Sequence, residues 1–136
     1  MRGVVRVFQT CVLVLAALAA WSPASAVDQA NEALYLRYCG ACHGPGGKGD
    51  GIMSGLLKKK PADLTRIAER NGGEFPFNRI MQTIDGTKTV RAHGSAEMPV
   101  WGEIFMREAK SSAAQQAEVR GKILMITEYM RSIQQK

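Results

Sequence analysis

The chain has 136 residues, enough for one domain, with 18 Lys and Arg against 12 Asp and Glu for a net charge of +6. That excess is modest and only 7% of residues are aromatic, so the basic stripe and base-stacking rings of a nucleic-acid binder are absent. Period-two alternation and long β-branched runs are missing too, and the pattern reads as all-α.

In chain order, Arg2 and Arg6 precede the apolar run "VFQTCVLVLAALAAW", and "ASA" at 24–26 supplies small residues at the −3 and −1 positions of an export cleavage site. The run is short for a bilayer-spanning helix. Residues 1–26 therefore read as a signal peptide and 27–136 as the exported, periplasmic domain; if the segment were retained, it would tether that domain to a membrane. Cys11 leaves with the segment and lies too early in the run to read as a lipid-modified cysteine. Cleavage leaves about 110 residues with a charge near +4, a size at which a compact core gains much from an added staple.

The first helix is expected to start near Asp28, a good N-cap residue, and to end at Gly44, with Ala30, Ala33, Leu34 and either Tyr35 or Tyr38 inward. A glycine-rich loop runs on to about Gly55. Pro61 is expected to open a short helix through "ADLTRIAER" that stops at Asn71 and Gly72. Pro76 begins another, with Phe77, Ile80, Met81 and Ile84 on one face and Gly86 closing it. The segment 86–98 reads as irregular. Pro99 begins a helix through Ala109, and Ser112 with Gln115 forms a capping box for the last and longest helix. Val119, Ile123, Ile126, Met130 and Ile133 make its stripe, within which Gly121 calls for a packing reason or a later start.

The stretch "YCGACHGPGGKGDG", Tyr38 to Gly51, carries the chemistry. Gly44, Gly46 and Gly49 satisfy G-x-G-x-x-G, but no strand precedes them, and Lys48 is followed by Gly49 where a phosphate-cradling loop needs Ser or Thr. A thioredoxin-like Cys-Gly-x-Cys belongs at a strand-to-helix junction in a βαβ unit. A zinc site needs a fourth ligand beyond Cys39, Cys42 and His43, and the only other histidine is His93. What remains is the Cys-x-x-Cys-His spacing of c-type haem attachment. Thiols three residues apart in a helical turn share one side, where each forms a thioether with a porphyrin vinyl group, and His43 is held beneath the iron. Such a haem supplies the staple and accounts for the two cysteines that survive processing.

For the second axial position the candidates are Met53, Met81, Met98, Met106, Met125, Met130 and His93, or none. Met81, Met125 and Met130 fall on or beside apolar stripes and read as core. Met98 stands in the irregular segment before Pro99, where a chain can fold over the far face of a haem.

"CGACH" followed far downstream by "EMPVWG" at 97–102, between an aromatic-bearing helix and a C-terminal one, resembles a class I monohaem c-type cytochrome of bacteria over 28–135. The resemblance implies a cytochrome c fold, about five short helices around one covalent haem c, with Cys39 and Cys42 as thioether residues, His43 as proximal ligand and Met98 as distal ligand. It also implies crossed first and last helices, with Tyr35 near Ile126 and Tyr129, and a place for Trp101 beside the haem, either as a propionate donor or as an ordinary buried aromatic. The proline whose carbonyl holds the proximal histidine is Pro45 or Pro61. His93 is a rival to Met98 or a loop residue near a propionate. Arg91 pairs with a propionate or is solvated. Lys58, Lys59 and Lys60 are a solvated face or steer acidic redox partner proteins.

The function expected is periplasmic electron transfer by a protein that is not itself an enzyme. The rivals are a haem c subunit of a dehydrogenase or oxidase complex, a haem enzyme or sensor with a labile sixth ligand, and a dithiol oxidoreductase. No nucleic acid is implied, and no membrane unless the N-terminal segment is retained.

Overall fold

The computed structural model describes residues 23–87, 98–109 and 114–135. Residues 1–22 of the expected export segment, with Arg2, Arg6 and Cys11, lie outside these, as do Arg91, His93 and Ser112. Among the described residues there is no β-strand, and the fold is all-α: α1 (Pro23–Tyr38), α2 (Gly40–His43), α3 (Phe77–Asp85), α4 (Trp101–Glu108) and α5 (Gln115–Ser132), with short 3-10 turns between α2 and α3.

The most extensive packing is between α1 and α5, and α3 and α4 pack on α5 and on each other. Tyr35, Phe105 and Ile126 are fully buried at the centre, flanked by Ile84, Val119, Ile123 and Met130. The expected stripes of α3 and α5 are thus inward, with Ile133 half-buried beyond the last turn. Thr127 is also fully buried, and its hydroxyl donates to the Ile123 carbonyl at 2.8 Å, so the core carries this polar group satisfied within its own helix.

Four boundaries or faces differ from expectation. The first helix begins at Pro23, ahead of Asp28, and Ala30 and Ala33 are exposed. Its inner face is Asn31, Tyr35 and Cys39, because Tyr35 is a large apolar ring with a nearby acceptor for its hydroxyl, which two alanines cannot match in buried area. The helix expected from Pro61 is replaced by two 3-10 turns, Leu64–Arg66 and Glu69–Asn71. Asp63 is the cap: its carboxylate accepts from the Thr65 N–H at 2.9 Å and the Thr65 hydroxyl at 2.6 Å, which starts the turn two residues after the proline. Gly72 ends the second turn in the left-handed conformation as expected, and Gly86 does the same for α3.

The last helix opens at Gln115 with Ala114 in the cap position, and Ser112, the other half of the expected box, lies outside the described residues. The Gln115 amide donates to the Met106 carbonyl at the end of α4, at 2.5 Å. Neither reading of Gly121 holds: the helix has already begun, and a Cβ there would meet nothing within 4 Å. The C-terminal residues then tie α5 to the segment after Asp63. Gln134 accepts from the Ala68 N–H at 2.9 Å and donates to the carbonyls of Leu64 and Met130, while the Gln135 N–H reaches the Thr65 carbonyl at 2.8 Å.

Candidate functional site

Helix α1 breaks at Cys39 and α2 restarts at Gly40, so that Cys39, Cys42 and His43 occupy one tight helical turn closed by Gly44. The loop that follows folds back on this turn through backbone bonds. Gly49 donates to the His43 carbonyl at 2.8 Å, Met53 to the Ala41 carbonyl at 2.9 Å and Leu64 to the Gly47 carbonyl at 2.6 Å. Backbone packs directly on backbone here: a Cβ on Gly49 would collide with the Pro61 carbonyl, and one on Gly51 with the Ala41 carbonyl. Glycine is required at both positions by close approach, and Gly49 also has a φ of 74°.

That folding carries Pro61 and Ala62 across His43. The imidazole is buried, and its Nδ1 lies 3.0 Å from the Ala62 carbonyl oxygen. A carbonyl only accepts, so Nδ1 carries the proton and, in the neutral ring, the lone pair is on Nε2. The acceptor is thus neither Pro45 nor Pro61, as expected from sequence, but the residue after Pro61. Pro45 is otherwise engaged: its carbonyl accepts from the Tyr129 hydroxyl at 3.1 Å, and the Gly44 carbonyl accepts from buried Tyr35 at 2.9 Å.

A cavity of about 360 Å³ opens beside this turn. One wall is Cys39, Cys42 and His43; the segment Leu57 to Ala62 supplies a second; Met98, Pro99 and Trp101 supply the third, with Arg37 and Tyr38 from α1. All five residues singled out from sequence as cofactor-binding, Cys39, Cys42, His43, Met98 and Trp101, border this one space. Met98 is the only methionine among the described residues that does so: Met81, Met106 and Met130 pack in or against the core, and Met53 is exposed.

The aromatic wall is braced from behind. Tyr38 meets Trp101 and Phe105 edge-on, with centroids 5.4 Å and 4.8 Å away. Its hydroxyl donates to Glu108 at 2.9 Å, and Lys122 lies 3.6 Å from the same carboxylate oxygen. Tyr38, Leu57 and Ala62 were not named in the sequence reading as site residues; the aromatic before the first cysteine was the one available signal among them.

Both thiols are free, Cys39 buried and Cys42 half-buried. Burial, and then the neighbouring Cys42, pushes the Cys39 thiol up to about 12. A thiolate on Cys39 is thereby disfavoured near neutral pH, which speaks against Cys39 as the attacking thiol of an exchange centre. Among the described residues no three His, Cys, Asp or Glu side chains converge as a metal-holding group, which leaves a zinc reading without a ligand set there. No family model matches the sequence, and neither known proteins nor solved structures gave a match to it.

Proposed function

We propose that this chain is an electron-transfer protein of the c-type cytochrome kind, holding one haem c through Cys39 and Cys42 with His43 and Met98 as axial ligands. The observation that carries the reading is the convergence of these four residues, which lie in two segments far apart in sequence, on a single cavity. The residues fit the group on three counts. The cavity falls in the range of cofactor sites, roughly 300–1,000 Å³. Its walls are largely apolar side chains, as a flat hydrophobic macrocycle requires. His43 has its Nδ1 engaged by the Ala62 carbonyl, the outer bond that orients a ligating imidazole and leaves Nε2 as the donor nitrogen.

When bound, the haem supplies a one-electron Fe(II)/Fe(III) couple. The chain's own part is to position and to tune. Ala62 fixes the plane and basicity of the His43 ring. Met98 offers a thioether, which favours the reduced state relative to a second imidazole. Trp101 and Tyr38 close a wall against water. Arg37, Lys59 and Lys60 border the cavity and give it a positive rim that suits redox partners with acidic surfaces. With His43 and Met98 both holding the iron, no position would be left for substrate, and the reading is a carrier and not an enzyme, exported to the periplasm.

The test is the protein secreted with its own leader. A haem stain that survives denaturing electrophoresis, together with a mass equal to the processed chain plus one haem, is the expected result; the bare polypeptide mass overturns the reading. The ferric form should show the weak red band of sulfur ligation, and Met98→Ala should abolish it. Loss of that band on changing another methionine instead would remove Met98 from the ligand set.

A further inference from the structure

The segment between His43 and Pro61 carries a feature that the cavity does not use. Ile52 is 90% exposed, Leu56 77% and Met53 41%: three large apolar side chains on and beside the 3-10 turn Ser54–Leu56. None of them lines the cavity, so a group seated there leaves them uncovered. Gly55, between them, has nothing within 4 Å of where a Cβ would stand, so the turn is open to solvent on that side. After half-buried Leu57 come Lys58, Lys59 and Lys60, all exposed, of which only Lys58 stands off the cavity, and Asp50 is the only acid in the segment.

A single exposed apolar residue is ordinary on a protein surface. Three together beside an unbroken lysine run form an amphipathic patch, and its composition selects the partner. Protein interfaces anchor on Trp, Tyr and Arg and are depleted of lysine at their cores, and this tip has no aromatic residue and no arginine. A lipid surface takes the complementary set. Aliphatic side chains enter the boundary between headgroups and acyl chains, while lysines lay their stems along apolar surface and hold their ammonium groups at anionic phosphates.

We propose that the Ile52–Leu56 tip with Lys58 is a docking surface for an anionic phospholipid layer. The contact is weak and reversible, because one shallow apolar tip and a short basic run fall below what stable anchoring needs. Among the described residues no helix is long and apolar enough to cross a bilayer. The inference stands on the loop alone and does not depend on the haem reading.

The protein, exported with its own leader, is sedimented with vesicles of phosphatidylglycerol and phosphatidylcholine, and separately with phosphatidylcholine alone. Binding should favour the anionic vesicles and fall with added salt. The double variant Ile52→Ser/Leu56→Ser should lower partitioning on the order of tenfold, and Lys58→Gln roughly fivefold, with the thermal midpoint unchanged because these side chains lie outside the core. The wild type and the variants are compared after the same export and processing, so any contribution from the N-terminal segment cancels. No preference for anionic vesicles, or equal partitioning of the wild type and the double variant, overturns the proposal. If the double variant instead slows association with an acidic redox protein and leaves vesicle binding unaltered, the surface is a protein interface and the lipid assignment falls.

Discussion

Tyr35 joins three parts of the molecule through one side chain. Its ring is buried against Tyr129 with centroids 4.7 Å apart, and its hydroxyl fixes the Gly44 carbonyl immediately after His43. Burial first, then Cys39, Tyr129 and Asp50, holds its phenol well above the ordinary tyrosine range. A raised folded-state value means that the stability of the protonated phenol is complete below about 10 and is lost as pH rises through the higher folded value. Tyr35→Phe keeps the ring and leaves the Gly44 carbonyl with the Gly47 N–H as its remaining donor, so urea unfolding at neutral pH should show a loss of about 1–1.5 kcal/mol. Tyr129→Phe, at a more exposed hydroxyl, should lose about 0.5–1.5 kcal/mol; the reverse order would show that the Gly44 bond does not hold the loop. Gly49→Ala confronts both a positive φ and the Pro61 carbonyl, and should cost more than about 1 kcal/mol.

Elements depend on their caps and on residues that waste helical propensity. Asp63 accepts from Thr65 and starts the turn after Pro61; the Thr65 hydroxyl is the first cause holding its carboxyl below the ordinary range. A depressed folded value means that this stabilisation is present above the unfolded carboxylate pKa of about 4 and disappears as pH falls through the folded value. Asp63→Ala should lower stability by about 0.5–2 kcal/mol at pH 7, and the difference from wild type should shrink in acid; a gap independent of pH would locate the effect elsewhere. Gly121→Ala should raise stability by up to about 1 kcal/mol in thermal unfolding, since the added methyl meets nothing within 4 Å. Periodicity made α3 and α5 legible, because apolar residues at helical spacing have no other way to be buried together. The inner face of α1 was legible only in part: Tyr35 is buried and Leu34 and Tyr38 pack on the core as read, but Asn31 is inward and Ala30 and Ala33 are in solvent. The role of Gln115 was not legible, because its amide has a tertiary acceptor on Met106 that no local pattern announces.

Across the whole molecule, the contiguous Cys39–Cys42–His43 motif was visible in sequence because its chemistry depends on local spacing. Met98 was separable from the other methionines by its position in an irregular segment, and it borders the same cavity as that motif. The carbonyl of Ala62 could not be read in the same way. Every residue has a backbone acceptor, and only the path of the glycine loop decides which one reaches the imidazole. The same limit hid Gln134, whose amide joins three backbone groups of two distant segments. Gln134→Ala should free them and lower stability by about 1–3 kcal/mol, with faster hydrogen exchange at the Ala68 amide as the local signature; unchanged exchange there would refute the tie.

The pairing of α1 with α5 also governs the order in which this chain becomes structured. Because each is the other's principal neighbour although they stand at opposite ends of the described sequence, α1 emerges from the ribosome long before anything exists to cover Tyr35. Closing that long loop is entropically slow. Until translation reaches Ile126, the nascent polypeptide lacks the helix that covers Tyr35, so Cys39, buried in the finished fold, is more open then than it is afterwards.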